Sequence, residues 1–507
     1  MQRATINGIG TIRAEFGTDA LLAIRPEHAE KIFCGEKLYE LRKVCPKTVP
    51  RRLYLWVTGK GGGVVGQVVV SEVLYGDPKS LWHEVGNQAT TKERFQRYFA
   101  GERIAYAIRV ESVIRFPRTL TTADIREVWP RATVPRNFVY MDLAGELSRK
   151  LEALSFSCVF TSRGNSGGVH VRPIQKQEYN DFRRHVVEHI GSAYLETGAA
   201  YADHLIQSHE SGFDHDGVFT TRKWVCALES QGALVGFTVL TAKIGGSVKT
   251  GPTMIDATQR NHGIGVKIRS VIHSNVAKLG YRKVYCTVPV IRPAAIRYLL
   301  NAGYRVEADL DRQYHYSHRE LVLGWDMSRP YGGGQRRERS PSEFVRIQRM
   351  RKKSEARECE RIFREAFGEV YCGVSDCWAS RQLEKAVKKD SENRYTKPVS
   401  IYKAEDADGV AGFVFCVWKR GGAVKLCPVI LRGTDGDIVT LIKYAIDGIK
   451  RQRQQELRKF YAHITPEDGQ LVRAVQNLGL TIEGCIRKPY TSSQDMLVMG
   501  GMFECVG

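Results

Sequence analysis

Short apolar runs and alternating stretches recur through the first part of the chain. Leu21–Ile24, Leu53–Val57, Val64–Val70 and Ala105–Val110 read as strands. Helical spacing of apolar residues covers Pro26–Phe33, a region around Lys79–Phe99 and Leu143–Leu154. Strands dominate up to Tyr140 and predict a small barrel there. A further strand, Gly168–Pro173, opens a second region of alternating strands and helices, so the chain is of mixed α and β class.

That second region is repeated. Gly236-Phe-Thr-Val-Leu-Thr-Ala-Lys-Ile-Gly-Gly-Ser-Val-Lys-Thr-Gly-Pro aligns with Gly412-Phe-Val-Phe-Cys-Val-Trp-Lys-Arg-Gly-Gly-Ala-Val-Lys-Leu-Cys-Pro at an offset of 176 residues. Without a gap the same offset superposes Arg282, Lys283 and Tyr285 on Arg458, Lys459 and Tyr461, and Asn301 and Gly303 on Asn477 and Gly479. Two copies of one domain are expected, joined by a stretch rich in Gly, Pro, Ser and Arg. The expected boundaries are 1–142, 155–328, a linker at 329–342, and 343–507.

Charge adds a partner to this picture. The 507 residues hold 76 Lys+Arg against 55 Asp+Glu, a net charge of +21, which favours a polyanion such as RNA, more than DNA. No run approaches the roughly 18 apolar residues that cross a bilayer, and the start lacks a secretory pattern. The twelve cysteines form no CxxC pair; the nearest two are Cys372 and Cys377. Reduced thiols, a cytoplasmic location, no membrane and no metal are the expectations.

The strongest chemical signal follows the strand ending at Ile255. Asp256-Ala-Thr-Gln-Arg260-Asn261-His262-Gly263-Ile264-Gly265-Val266 leads into apolar helical spacing from Gly263 to Leu279. Glycines at a helix start expose unpaired N–H groups and the positive dipole end, which suit a pyrophosphate. By itself a GxG there is as readily a structural turn. Arg260-x-x-Gly263-x-Gly265 resembles the phosphate loop of the GNAT acetyltransferases. Ala295-Ile296-Arg-Tyr298-Leu299-Leu-Asn-Ala-Gly303-Tyr304 resembles that family's closing helix and strand. The resemblance covers about Gly168–Met327. It implies acetyl-CoA as co-substrate, its pyrophosphate on residues 260–266 and its pantetheine between two splayed parallel strands. It also implies acyl transfer to an amine, which must shed a proton while the leaving thiolate gains one.

The chain departs from that family where Arg292 replaces a common Asn and Leu299 replaces the Tyr that often acts as acid. Tyr298 is adjacent but points about 100° away on a helix. Lys249–Ile255 lacks the usual Glu base. Asp256, Tyr298 and Tyr314 are the catalytic candidates, with His315 beside them, and acetyl-CoA sensing without turnover is an alternative. In the last copy Arg260, Gly263 and Gly265 become Gly436, Val439 and Leu441, with Asp435 and Asp437 nearby. That copy is expected to keep the fold, lose the donor and support the middle copy or shape its substrate groove.

In the first region, Gly35-x-Lys37-x-x-Glu40-x-Arg42 follows the helix from Pro26 to Phe33. Alternation places Glu40 and Arg42 on one face of a strand, able to pair, and Lys37 on the other. The pattern matches the G-x-K-x-x-E-x-R signature of ASCH domains, and the resemblance spans about Leu21–Tyr140. It implies a PUA-like barrel with Lys37, Glu40 and Arg42 on the rim of a cleft for nucleic acid. Trp56, Tyr75, Trp82 and Tyr106 are candidates for stacking on a base, or core. The combined expectation is a PUA-like barrel followed by two GNAT-like mixed-sheet domains that act as an N-acetyltransferase on RNA or tRNA. A DNA base or a protein amine as acceptor, or a nucleic-acid-binding regulator, are the alternatives.

Overall fold

A computed structural model describes the chain except residues 1–4, 7, 47, 60, 144, 162–167, 191–197, 213–216, 261, 316, 327–338, 372, 388–397, 453–455, 491–493 and 507. Packing divides it into two units, residues 1–165 with 271–281, and residues 166–270 with 282–507. No helix among the described residues is long and apolar enough to cross a membrane.

The first unit contains β1 (Thr5–Ile6), β2 (Ile9–Arg13), β3 (Glu15–Ile24), α1 (Pro26–Phe33), β4 (Tyr39–Arg42), β5 (Pro50–Val57) and β6 (Gly63–Gly76). It continues with α2 (Pro78–Val85), α3 (Lys92–Tyr98), β7 (Ala105–Thr121), α4 (Thr122–Arg126), β8 (Phe138–Met141) and α5 (Glu146–Thr161). Pro26 at the first turn and Gly35 at φ 76° bracket α1 as its sequence requires. The long strand β6 pairs with β7 on one side, and with β5 and then β2 on the other. β3 runs parallel to β5, β8 edges β3, and β4 joins β7. Among the described residues this ladder is an open, branched path rather than a closed ring. Ala20, Leu22, Leu53, Leu55, Val68 and Val70 form its core.

The expected domain start at 155 falls inside α5. That helix belongs to the first unit because Glu152 reaches the buried Arg52 of β5 (2.6 Å), which also meets Asp19 (2.8 Å). An uncompensated guanidinium there would be costly, so the two carboxylates tie α5 to the sheet.

The second unit begins with β9 (Val169–Pro173), α6 (Tyr179–Ile190), α7 (Ala199–Glu210), β10 (Thr220–Ser230), β11 (Ala233–Lys243) and β12 (Ser247–Ile255). There follow α8 (Ile264–Lys278, within which the unit boundary falls), β13 (Lys283–Pro289), α9 (Pro293–Asn301), β14 (Arg305–Leu310) and β15 (Glu320–Asp326). The repeat supplies β16 (Arg346–Arg349), α10 (Lys353–Gly368), α11 (Asp376–Val387), β17 (Val399–Asp406), β18 (Gly409–Trp418) and β19 (Ala423–Ile430). It ends with α12 (Asp435–Gln452), β20 (Lys459–Ile464), α13 (Gly469–Asn477), β21 (Thr481–Ile486) and β22 (Met496–Met502). The same eleven elements occur in the same order in each copy.

All fourteen strands form one sheet, ordered β16-β17-β18-β19-β20-β22-β21-β14-β15-β13-β12-β11-β10-β9. The order reads the same from both ends. At its centre Ala308 faces Gly484, which is Ala308 moved on by 176 residues, so a local two-fold axis passes through the seam. A side chain on Gly484 would come within 2.4 Å of the Ala308 backbone, so glycine allows the strands to meet. Beside the seam Lys283 pairs with Glu307 and Lys459 with Glu483. Each lysine also donates to a main-chain carbonyl of the other copy, Lys283 to Arg487 and Lys459 to Asp311.

Candidate functional site

In the middle copy β12 and β13 pair in parallel only through Ser247–Lys249 and Lys283–Tyr285, then separate. Between them lies a cavity of about 700 Å³, walled by Thr250–Ile255 and Cys286–Pro289. Of the expected loop residues, Arg260, Gly263, Gly265 and Val266 line it; His262 and Ile264 are not among its wall residues, and Asn261 lies outside the described residues. Gly263 has φ 73°, and a side chain there would meet nothing within 4 Å, so it faces open space. Helix α8 starts at the next residue and presents its unpaired N–H groups there. Arg260 is braced by donating from Nε to the carbonyl of Ile255 (2.8 Å).

Gly265 lies against an aromatic side chain, in ordinary contact. A Cβ at this position would sit 3.4 Å from the ring of Tyr298, whose hydroxyl donates to the carbonyl oxygen of Gly265. Tyr298 thus holds the loop, with its proton engaged in the wall of the cavity. Arg269, one turn beyond Gly265, is buried against the same cavity. It donates to the Thr250 hydroxyl (2.8 Å) and to Tyr304 (3.3 Å). Sequence reasoning passed over it, although its i+4 spacing from Gly265 places it on the loop's face of the helix.

Asp256 closes β12 and meets His185 Nε2 (2.7 Å), while His185 Nδ1 lies 2.8 Å from the carbonyl of Asp181. With His189, one turn on along α6, three possible ligand atoms lie within 4.8 Å of one another. The histidine spacing is visible in the sequence; its meeting with Asp256, far along the chain, is not.

A second cavity, about 290 Å³, shares Ile190, Thr250, Gly251, Pro252 and Thr287 with the first. Tyr314 lines it, under the ammonium of Lys249 (5.2 Å to the ring centre). The turn that carries Tyr314 is held by Glu320, which is fully buried and accepts from the N–H groups of Gln313 (3.1 Å) and Tyr314 (3.3 Å). Burial pushes the Glu320 carboxyl up to about 7. The cavity also receives side chains of the last copy, among them Lys425, Tyr461, His463 and Tyr490.

The last copy has the same strand parting, with Ala423–Leu426 paired to Lys459–Ala462, but its cleft is filled. Leu441 and Ala474 stand where Gly265 and Tyr298 stand, and both are buried in one apolar cluster with Leu426, Ile430 and Val475. Arg339, just before β16, reaches in and pairs with Asp468 while donating to the carbonyl of Ile430 (3.1 Å). Most of the expected linker lies outside the described residues; of its end, Arg339 enters the cleft and Ser342 donates to Asp406 (2.6 Å).

In the first unit Glu40 pairs with Arg42 (2.8 Å) as alternation predicts, but also with Lys37 (2.6 Å). β4 begins only at Tyr39, so Lys37 precedes the pleat and its side chain turns back to the same carboxylate. Lys37 and Glu40 are 4% and 5% exposed, so they stand inside the domain and not on an open rim. Arg42 donates to the carbonyl of Ala23 (2.7 Å) and lies over the ring of Phe138, which ties β4 to the ends of β3 and β8. Trp56 is core and Trp82 packs on Phe95, whereas Tyr75 and Tyr106 stack on each other.

Comparison with known proteins places these parts. No family model matches the chain. An ASCH domain-containing ribonuclease of Zymomonas mobilis is 24% identical over 141 residues, 27% of this chain and 92% of its own. A candidate acetyltransferase of the GNAT family from Desulfovibrio desulfuricans, 18% identical, aligns over 32% of this chain and 99% of its own with a TM-score of 0.27. RimL, a ribosomal alpha-N-protein acetyltransferase in complex with coenzyme A, is 11% identical over 32% and 94%, with a TM-score of 0.27. The first unit is thus similar in sequence to an ASCH domain, and the second is a mixed α/β sheet built from two copies of one arrangement.

Proposed function

We propose that this chain is an acyl-CoA-dependent N-acetyltransferase whose acceptor is an RNA. The observation that carries the reading is the parting of β12 and β13 over the Gly263 turn, an open cradle at a helix N-terminus that any larger side chain would enter. Acetyl-CoA, when bound, supplies an activated acyl group on a thioester. The first N–H groups of α8 and the Arg260 guanidinium hold its pyrophosphate, and Thr250–Pro252 with Cys286–Val288 flank its pantetheine arm. Arg269 fixes Thr250 on the wall. Tyr298 is a positioning residue for the loop, and Asp256 holds His185 at the end of β12. Tyr314 faces the adjoining cavity from which an amine can approach, and is the side chain we assign to proton transfer there.

The net charge of +21 and the ribonuclease likeness of the first domain support RNA as the acceptor, with the Lys37–Glu40–Arg42 cluster shaping the domain that binds it. The test is incubation of full-length protein and a Gly263→Val/Gly265→Leu variant with labelled acetyl-CoA and total cellular RNA. Label in RNA from the wild type alone supports the reading; label only in DNA or protein, or none, overturns it. A regulator that binds acetyl-CoA without turnover is the second reading, favoured by the engaged Tyr298 hydroxyl. It predicts RNA affinity that shifts with acetyl-CoA and no labelled product.

A further inference from the structure

The smaller cavity obeys the same two-fold axis as the sheet. Four of its five lysines come in pairs 176 residues apart, Lys243 with Lys419 and Lys249 with Lys425, while Lys223 corresponds to Val399. Four of its five tyrosines do too, Tyr285 with Tyr461 and Tyr314 with Tyr490, while Tyr201 corresponds to Cys377. The contacts repeat as well: the Lys249 ammonium stands over the Tyr314 ring at 5.2 Å and that of Lys425 over the Tyr490 ring at 4.6 Å. The symmetry also breaks where Thr287 of the middle copy corresponds to His463 of the last, and His463 hydrogen-bonds the Tyr490 hydroxyl (2.7 Å).

Five lysines lining one small space repel a polyamine or any other cationic acceptor and attract an anion. Lys425 is 2% exposed and meets aromatic faces and the Tyr490 hydroxyl. Burying a charge in that way is costly until an anion arrives to compensate it. Burial lowers the Lys425 ammonium to about 8, so it still carries charge near neutrality. Tyrosine faces stack on nucleobases regardless of sequence, at about 1–3 kcal/mol per base. The volume, about 290 Å³, is at the low end of the range for small-ligand pockets and admits one nucleotide but no duplex.

Resting on the acetyltransferase reading, we propose that this cavity, built by both GNAT-like copies, takes the unpaired end nucleotide of the acceptor RNA. The lysines hold its phosphate, the tyrosines hold its base, and the shared wall at Thr250–Pro252 brings its amine to the donor cleft. There the amine nitrogen attacks the acyl carbon, the C–N bond forms, the C–S bond breaks, and the amine proton ends on the thiolate through the cavity's hydroxyl groups. The last copy is then half of the acceptor site.

The test uses full-length protein, saturated with coenzyme A, and a short single-stranded RNA ending in 5-iodouridine, cross-linked by light and mapped by mass spectrometry. The expected result is cross-linking to peptides that contain Tyr314 or Tyr490. The yield should fall about tenfold, equivalent to 1.4 kcal/mol, in Lys249→Gln/Lys419→Gln. AMP should compete in the wild type more strongly than adenosine, which needs no variant to fold. Cross-links confined to residues 1–165, or a yield that ignores both the substitutions and AMP, overturn the proposal. Calorimetry with acetyl-CoA on the same proteins, before any coenzyme A is added, separates the two readings. Lost donor binding with cavity cross-links intact defeats the transferase reading, and the reverse defeats this one.

Discussion

The two copies in the second unit share eleven elements and one register, yet among the described residues only the middle one keeps an open cleft. Ser247 faces Lys283 as Ala423 faces Lys459, and the Lys283–Glu307 pair recurs as Lys459–Glu483. What differs is confined to the cleft walls. Gly265 with Tyr298 becomes Leu441 with Ala474, a reversal of small and large across one helix contact that keeps the space filled. Arg269 becomes Ala445, Thr250 becomes Leu426, and Arg339 with Asp468 occupies the mouth. The fold is held by the sheet register and the apolar layers beneath it. The open cleft is held by a handful of positions that the fold does not need, so one copy can be filled there without losing its shape.

That comparison can be broken in order of effect. Arg339→Ala leaves Asp468 buried without its partner and should cost about 3–5 kcal/mol in urea unfolding while acetyl-CoA affinity stays unchanged. A drop in affinity would show that the last cleft is coupled to the donor. Gly263→Val/Gly265→Leu imports the last copy's residues into the middle one. It should weaken acetyl-CoA binding by about 100-fold or more, near 3 kcal/mol, by calorimetry. Near-normal affinity would remove the loop from the donor site. Glu307→Gln and Glu483→Gln should each destabilise by about 1–3 kcal/mol and by similar amounts, because the axis makes their surroundings alike. A large inequality would mean that the seam is not symmetric in energy. The smallest effect is a pH slope. The Glu320 carboxyl sits at about 7 in the fold against an ordinary 4.5, so the folded state holds the extra proton. Its contribution is full below about pH 4.5 and is lost as pH rises through about 7. Glu320→Gln should flatten that decline in thermal melts; an unchanged slope would place the titration elsewhere.

Local signals in the sequence were legible where the structure is local. Pro26 and Gly35 bound α1, Gly263 marks the turn before α8, and the gap-free offset of 176 is the symmetry of the sheet. Positions fixed by distant chain segments were not. Lys37 joins Glu40 only because β4 starts two residues later than strict alternation assumes. Residue 155 looked like a fresh start, but Glu152 is bound to an arginine a hundred residues earlier. His185 and His189 meet Asp256, and Lys249 and Lys425 meet in one cavity, through tertiary packing that no periodicity encodes.

A copy whose cleft is filled by its own side chains is ordinarily expendable, but the crossed lysines at the seam remove that freedom. Each ammonium finishes its bonding on the neighbour's main chain, so a gene shortened after the middle copy would leave Lys283 short of an acceptor and β14 with a bare edge. Truncation would therefore leave an aggregation-prone half.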